Sequence, residues 1–522
     1  MTAILARGRA LPGVAVVVLL LPACVDAPKG KLLAQGPAHG LVASASGASL
    51  AFLQRLERPT ETSVPGDLHR GDLLLARAGE SARKAGGAVP DLPGSLAFEP
   101  RGEALAFLAS WRFREGEGEL WIARPHEASA RLAQEASAFA WSPQGNALAF
   151  VAAGKLRIVS AGGAPIATGA GPVHTFAWSP DGRSLAGRAP AAAQGRLVLL
   201  SIGPAKEGGA EKEVAATSSD FAFAPDGALA VLGAAGPKGG DRTLSLLEPG
   251  GDSPRELGHA TSFNFSPKGS ELALLSTGKQ PGEASGELSL VLRASGSSPR
   301  ALGSKVSEWR WSPAGDLLYL ANFDLRSRAG TLFALAPGAG QVPRALSTRV
   351  QSFSVAGRRA LFLVQRPLKG DFKIELWTAD LAAASGSPRA EPRKVDEGVY
   401  GYQLSPDGAL LYWKSRCVGL RSCALYRAPA DGSGGKVELM PAAAGFDLSR
   451  DGARLLVAQP HRSSRALDLF LLDARGPPPA APPKPLLEAV EPGAILLDEG
   501  GNEVAAVLSE PAKAGVVIVH AP

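Results

Sequence analysis

Cysteine occurs three times in this sequence, in two different settings. Cys24 follows an apolar N-terminal run, whereas Cys417 and Cys423 flank residues 418–422 between two strand-like runs. Two thiols brought together by neighbouring strands form a disulfide in an oxidising compartment and stay reduced in the cytosol. We therefore expect a Cys417–Cys423 disulfide if the chain is exported, and two reduced neighbouring thiols otherwise.

Other residues capable of catalysis do not fall into a recognisable catalytic pattern. The sequence contains no Gly-x-Ser-x-Gly segment, which would hold a hydrolase nucleophile. It also contains no His-Glu-x-x-His pair, and its seven histidines are scattered rather than placed at metal-ligand spacing. We expect no catalytic residues, no metal site and no cofactor.

The N-terminus has the features of an export signal. Arg7 and Arg9 precede an apolar run of about 12 residues, too short for a membrane-spanning helix, which needs about 20. Residues 21–24, Leu-Pro-Ala-Cys, resemble the lipobox of bacterial lipoproteins. The resemblance implies a signal peptide over 1–23, cleavage before Cys24 and acylation of Cys24, which anchors the chain to a membrane. An ordinary signal with an incidental cysteine is the alternative.

The composition excludes some classes of protein. With 522 residues, of which 45% are hydrophobic, the chain buries a large core. The net charge of +6 is small for this length and no basic stripe is present, so we expect no nucleic-acid binding. The 62 glycines and 42 prolines follow no collagen period and indicate many tight turns.

One short pattern recurs along the whole chain. Two aromatic or apolar anchor residues enclose a third residue, and a Ser-Pro-Asp-Gly turn or a variant of it leads into a second apolar run. Clear copies end at Gly145, Gly182, Gly227, Gly269, Gly315 and Gly408, and weaker copies end at Gly47, Gly102, Gly357, Gly452 and near Gly500. These eleven copies are about 45 residues apart, the length of one propeller blade.

Each copy predicts a hairpin followed by two more strands. Pro presets φ for the first turn position, and Gly takes the left-handed position. The turn aspartates 181, 226, 407 and 451 are replaced by Gln, Lys or Ala in other copies, so we expect them to form turns rather than bind metal. A closing run with the pattern Arg-x-Leu begins at Arg255, Arg300 and Arg344. Four antiparallel strands per unit make a propeller blade.

The repeat resembles the PD40 repeat of TolB-like propellers, which are related to WD40 propellers, and the resemblance covers nearly all of the mature chain. It implies an all-β fold of about eleven four-stranded blades. By analogy, the partners are envelope proteins such as peptidoglycan-associated lipoproteins. The separate N-terminal domain of TolB has no counterpart here.

The residue between the two anchors changes character along the chain. It is small and apolar in the first five units, and polar in the next five: Asn264, Arg310, Ser354, Gln403 and Asp447. Since typical propellers have four to eight blades, we expect two tandem propellers, at 39–258 (units 1–5) and 259–522 (units 6–11). One large ring is the alternative. Residues 31–33, within the N-terminal segment 24–38, resemble a fourth strand that closes the last blade.

The polar row also provides the candidate binding site: Asn264, Arg310, Gln403 and Asp447. Hydrogen bonds between adjacent blades are the alternative use of these side chains. The recurring aromatic anchors indicate packing between blades. We expect a non-enzymatic protein-binding scaffold, lipid-anchored to the outer or inner membrane and facing the periplasm or the cell surface. The rival functions are a propeller hydrolase or lyase with a central-channel site, and a carbohydrate-binding module.

Overall fold

The computed structural model consists of β-strands joined by turns and short loops. It describes residues 31–35, 38–58, 68–77, 80–190, 195–202, 211–234, 240–277, 286–294, 298–338, 340–368, 371–382, 391–418, 422–449, 451–462, 466–479, 483–497, 503–508 and 515–520.

Eleven units of four antiparallel strands are present in the described residues. The 41 strands there form five sheets of four strands and three sheets of seven. In each seven-stranded sheet, one long strand is the fourth strand of one unit and the first strand of the next. The fold is therefore an all-β propeller arrangement with the eleven units that the repeat predicts.

Strands are numbered in chain order. The first strands, which form the inner edges of the units, are β2 Ala38–Ala43, β6 Leu96–Phe98, β9 Ala130–Trp141 (second half), β13 Thr175–Trp178, β17 Asp220–Phe223, β21 Ser262–Phe265, β25 Glu308–Trp311, β28 Arg344–Ala356 (second half), β32 Gly401–Leu404, β36 Gly445–Leu448 and β39 Leu487–Leu497 (second half). The second strands are β3 Ser49–Glu57, β7 Leu105–Arg112, β10 Ala147–Ala152, β14 Ser184–Arg188, β18 Leu229–Leu232, β22 Glu271–Ser276, β26 Leu317–Asp324, β29 Arg359–Leu368, β33 Leu410–Val418, β37 Arg454–Pro460 and β40 Glu503–Leu508.

The third strands are β4 Arg70–Arg77, β8 Glu117–Ala123, β11 Lys155–Ser160, β15 Leu197–Ser201, β19 Arg242–Leu247, β23 Gly286–Leu292, β27 Ala329–Leu335, β30 Asp371–Asp380, β34 Ser422–Pro429, β38 Leu467–Asp473 and β41 Gly515–His520. The fourth strands are β5 Arg83–Pro90, the first half of β9, β12 Pro165–Pro172, β16 Glu211–Ala215, β20 Arg255–Ala260, β24 Arg300–Val306, the first half of β28, β31 Arg393–Glu397, β35 Val437–Ala443, the first half of β39 and β1 Lys31–Gln35.

The recurring turn joins the first strand to the second. In unit 4 the amide of Gly182, at φ +66°, donates to the carbonyl of Ser179 over 2.9 Å. The Ser179 hydroxyl accepts from the amide of Ser184 and donates to Asp181, and this bond lowers the pKa of the Asp181 carboxyl. The turns at Asp407 and Asp451 repeat these contacts, which confirms that these aspartates form turns.

Consecutive units pack on each other through shared apolar clusters. Such clusters join every neighbouring pair from units 1 and 2 to units 9 and 10. The second strands lie within these clusters, and all six residues of β10 are buried. The aromatic anchors contribute to the same clusters, so their predicted role in packing between blades is confirmed.

The Arg-x-Leu runs also join neighbouring units. Arg255, Arg300 and Arg344 begin the fourth strands of units 5, 6 and 7. Each donates from its guanidinium to a main-chain carbonyl of the next unit, over 3.0, 2.8 and 3.1 Å respectively. The pattern therefore marks a hydrogen bond between units as well as a strand.

The junction near residue 258 has contacts of this same kind. Leu244 and Leu257 of unit 5 share a cluster with Leu272 of unit 6. Arg293 of unit 6 binds two carboxylates of unit 5, those of Glu248 and Asp226, and these contacts raise the pKa of its guanidinium. Units 5 and 6 are thus packed like the other described neighbours. The division into two rings at 258, or a single ring, stays a prediction.

The two ends of the described chain meet in unit 11. β1 pairs antiparallel with β41, with Leu32 opposite Val517 and Gln35 opposite Gly515. β1 thereby occupies the fourth-strand position that the closing-strand interpretation assigns to residues 31–33. This pairing covers the outer edge of β41, which otherwise exposes unpaired main-chain groups.

Antiparallel strands place the connections on two faces. The turns from first to second strand and from third to fourth strand lie on one face, which we call the turn face. The hairpins from second to third strand and the links to the next unit lie on the opposite face, which we call the hairpin face. This alternation follows from strand direction alone.

Candidate functional site

The predicted polar row lies on the first strands of units 6 to 10. A first strand pairs only with the second strand of its unit, so its other edge is open. All four residues of β21, β25 and β32 are half-buried, in contrast to the buried second strands. At this inner edge, polar side chains of the repeat contact neighbouring units and remain partly exposed to solvent.

Asn264 contacts the next unit through two tryptophans. Its Oδ1 atom accepts hydrogen bonds from the indole nitrogens of Trp309 and Trp311, over 2.8 and 3.0 Å. In the earlier units the corresponding acceptor is a main-chain carbonyl. Trp141 donates to the carbonyl of Ala97 over 3.1 Å. The change from alanine to asparagine thus gives two indoles one side-chain acceptor.

Arg310 is held within its own strand and against the next unit. Its Nε atom donates to Glu308 over 2.7 Å, and its guanidinium lies 5.8 Å from the ring centre of Phe353 in unit 8. Ser354 in turn contacts the hydroxyl of Tyr402 in unit 9 over 3.3 Å. Burial raises the pKa of the Tyr402 phenol. Arg310 is thus an ordered, half-exposed cation.

Gln403 and Asp447 join units 9 and 10. The amide nitrogen of Gln403 donates to Asp447 over 3.2 Å, and the amide of Leu448 donates to the same carboxylate oxygen over 2.9 Å. Burial raises the pKa of the Asp447 carboxyl despite these two bonds. The cost of burying this charge is therefore only partly offset by its partners.

The structure thus brings the row together in pairs between neighbouring units rather than in one cluster. Each member contacts the first strand of the next unit or receives such a contact. Glu308 and Tyr402, which contact members of the row, were not among the predicted site residues. The signal for Glu308 was present, because residues two apart on a strand share a face and Glu308 precedes Arg310 by two.

A second polar group lies in unit 10, on the side that faces unit 9 and outside the predicted row. His461 Nδ1 is 2.7 Å from Asp468 Oδ1, and the amide of Ala489 donates to the same oxygen over 3.1 Å. This pair lines a cavity of about 620 Å³ together with Glu438 and Glu488. The sequence did not predict this pair, because no motif contains both residues. The hairpin of β37 and β38 brings His461 and Asp468 together.

The structure contains a disulfide between Cys417 and Cys423. The two residues lie on β33 and β34, so the bond crosses the end of a hairpin. Cys24 and the rest of the predicted signal lie outside the described residues. Within the described ranges, no helix is long and apolar enough to cross a membrane. No group of three or more metal-binding side chains occurs in those ranges either.

The chain is similar to several solved structures, all at low sequence identity. A crystal structure of the eukaryotic initiation factor is 15% identical, with a TM-score of 0.41, over 72% of this chain and 95% of that chain. The Cps50 (Swd1) β-propeller domain of Myceliophteria thermophila is 14% identical, with a TM-score of 0.28, over 52% and 91%. Porphyromonas gingivalis dipeptidyl peptidase 4 is 11% identical, with a TM-score of 0.38, over 84% and 58%.

These similarities are too distant to carry any activity over to this chain. No protein-family model matches the sequence, and no curated protein is similar to it. The chain is a β-propeller protein. Its membership of the TolB-like repeat family stays a prediction.

Proposed function

We propose that the chain is a protein-binding scaffold of the bacterial cell envelope, anchored by lipid on Cys24 and without catalytic activity. The observation that carries the binding role is the half-exposed inner edge of units 6 to 10. There Arg310 and Glu308 of unit 7 and Asp447 of unit 10 are held in fixed positions by hydrogen bonds. Ordered charges on a rigid edge recognise a polar partner at low entropic cost.

Two features support the proposed location. The lipobox-like residues 21–24 follow a signal-like N-terminus, and the Cys417–Cys423 disulfide suits an oxidising compartment. Envelope proteins, including peptidoglycan-associated lipoproteins, are the proposed partners. The inner edge also allows the rival hydrolase or lyase, for which the Glu308–Arg310 pair would be the starting point.

Fatty-acid labelling tests the anchor. Cells that express the full chain are grown with radioactive palmitate, and the wild-type chain is compared with a Cys24→Ser variant. We expect label on the wild-type chain alone. A Cys24→Ser chain that keeps its label contradicts the anchor.

Crosslinking in intact envelopes tests the scaffold. The wild-type chain is captured after crosslinking and compared with Arg310→Ala and Asp447→Ala. Ala140→Ser is the matched control, because Ala140 holds the same strand position in unit 3. We expect the two inner-edge variants to lose the same partner while they stay folded, and the control to keep it. Unchanged capture by both variants contradicts a binding role for the inner edge.

A further inference from the structure

Large apolar side chains are exposed on one face of three consecutive units. Leu325 is 63% exposed, Leu368 is 55% exposed and Val418 is 84% exposed. They lie at the hairpins that join the second and third strands of units 7, 8 and 9. Phe372 of unit 8 and Tyr400, in the link between units 8 and 9, are also exposed. All five residues therefore belong to the hairpin face.

Exposed positive charge accompanies the hairpins of units 7 and 9. Residues 324–328 and 416–422 have formal charges of +1 and +2. In the unit 8 hairpin, Arg366 and Lys373 are paired with Glu375 and Glu397. Arg326, Arg328 and Arg416 are exposed. Asp324 is turned towards its own backbone, where it accepts from the amides of Arg326 and Ser327.

The equivalent hairpin of unit 2 differs in both respects. Residues 112–117 have a formal charge of zero, and Arg112 pairs with Glu117 across the tip. Its apolar residue, Phe113, packs against the core shared by units 2 and 3. A cationic tip with an exposed apolar residue is thus not a general consequence of the repeat.

We propose that the hairpin tips of units 7 to 9 bind the surface of an anionic phospholipid membrane. Each apolar tip enters the headgroup region at its own position, and neighbouring arginines contact lipid phosphates. A protein partner would need one continuous complementary patch, whereas these apolar residues stand on three projecting hairpins. The combination of charge and isolated apolar tips therefore favours a membrane.

The length of the N-terminal segment is compatible with this orientation. Seven Cα–Cα steps from Cys24 to Lys31 reach at most about 25 Å. β1 begins on the turn face and covers about 13 Å towards the hairpin face. At full extension this segment is thus about twice as long as the depth that β1 covers. The inference extends the proposed membrane attachment, but its test does not need the anchor.

Vesicle sedimentation tests the proposal with residues 25–522, which lack Cys24 and keep every described strand. The chain is mixed with vesicles of phosphatidylglycerol and phosphatidylethanolamine, or with phosphatidylcholine alone. We expect binding to the anionic vesicles, weakened by salt, and at least about tenfold weaker binding to phosphatidylcholine.

Variants then locate the surface. The triple variant Leu325→Ser, Leu368→Ser and Val418→Ser keeps the charges and is expected to bind anionic vesicles at least about tenfold more weakly. Val342→Ser is the matched control, because Val342 is 81% exposed but lies on the turn face. Circular dichroism and urea unfolding confirm that each variant folds.

Two results overturn the proposal. One is equal binding of the wild-type chain and the triple variant, and the other is no binding of the wild-type chain to anionic vesicles. In cells, a photocrosslinker placed at Leu368 reports what the tips touch. If it reacts with a protein and the chain does not bind vesicles, the tips bind a protein partner instead. Failure of palmitate labelling at Cys24 overturns the anchor alone and leaves these measurements unaffected.

Discussion

Replacing Asn264 with leucine tests whether the polar row holds neighbouring units together. Leucine has a similar volume but offers no acceptor to the indoles of Trp309 and Trp311, which now donate over 2.8 and 3.0 Å. A hydrogen bond contributes about 0.5–1.5 kcal/mol net, so two lost bonds lower the unfolding free energy by about 2 kcal/mol. Water can reach the half-exposed inner edge and bind the freed indole nitrogens, which limits the loss of stability. We therefore use about 1 kcal/mol per bond, the middle of the range.

A double-mutant cycle isolates this effect. Unfolding in urea, followed by circular dichroism, is measured for Asn264→Leu in the wild-type chain and in a chain with Trp309→Phe and Trp311→Phe. We expect the cost of about 2 kcal/mol in the wild-type background and almost none when the indoles are absent. An equal cost in both backgrounds refutes the hydrogen bonds as its cause.

Three further predictions concern single sites. Asp447→Asn removes a carboxylate whose pKa burial raises. Because the pKa of this carboxyl is higher in the folded state than in the unfolded state, ionisation destabilises the folded wild type as pH rises above about 3.8. In urea unfolding, the variant should therefore be more stable than the wild type at pH 7 and equal to it near pH 3. Removing the Cys417–Cys423 disulfide, which closes a loop with a sequence separation of 6, should lower stability by about 2 kcal/mol, and alkylation before and after reduction should show its presence by mass. Gly182→Ala, at φ +66°, should lower the unfolding free energy by about 1–2 kcal/mol, whereas Gly162→Ala, at an ordinary φ, should cost less.

The repeat made most of the fold predictable. The hydrogen bonds of its turn are local, as those of Ser179, Asp181 and Gly182 show. The same residue types therefore predict a hairpin in each copy of the repeat. The Arg-x-Leu runs likewise predicted the start of the fourth strands. Their hydrogen bonds to the next unit were not predictable, because they depend on how two units sit side by side.

The candidate site was less predictable for the same reason. The alternation of strand faces singled out Asn264, Arg310, Gln403 and Asp447, but their partners lie about 45 residues away in the next unit. Pairing over such distances leaves no local pattern in the sequence. The His461–Asp468 pair was missed because a hairpin, rather than a motif, brings the two residues together.

The closing strand is the feature on which the account of the fold depends most, because β1 joins the two ends of the chain. Disulfide trapping tests it directly in the cysteine-free chain. Lys31 faces Ile518 and Leu32 faces Val517. Facing pairs alternate along antiparallel strands, so one of these two is a non-hydrogen-bonded pair, with a short Cα–Cα distance of about 4.5 Å. Cysteine pairs at both positions, with Leu32→Cys and Ala505→Cys as the control, are oxidised in the folded protein. We expect at least one of the two facing pairs to form an intramolecular disulfide and the control to stay reduced. No crosslink at either facing pair would contradict closure by β1.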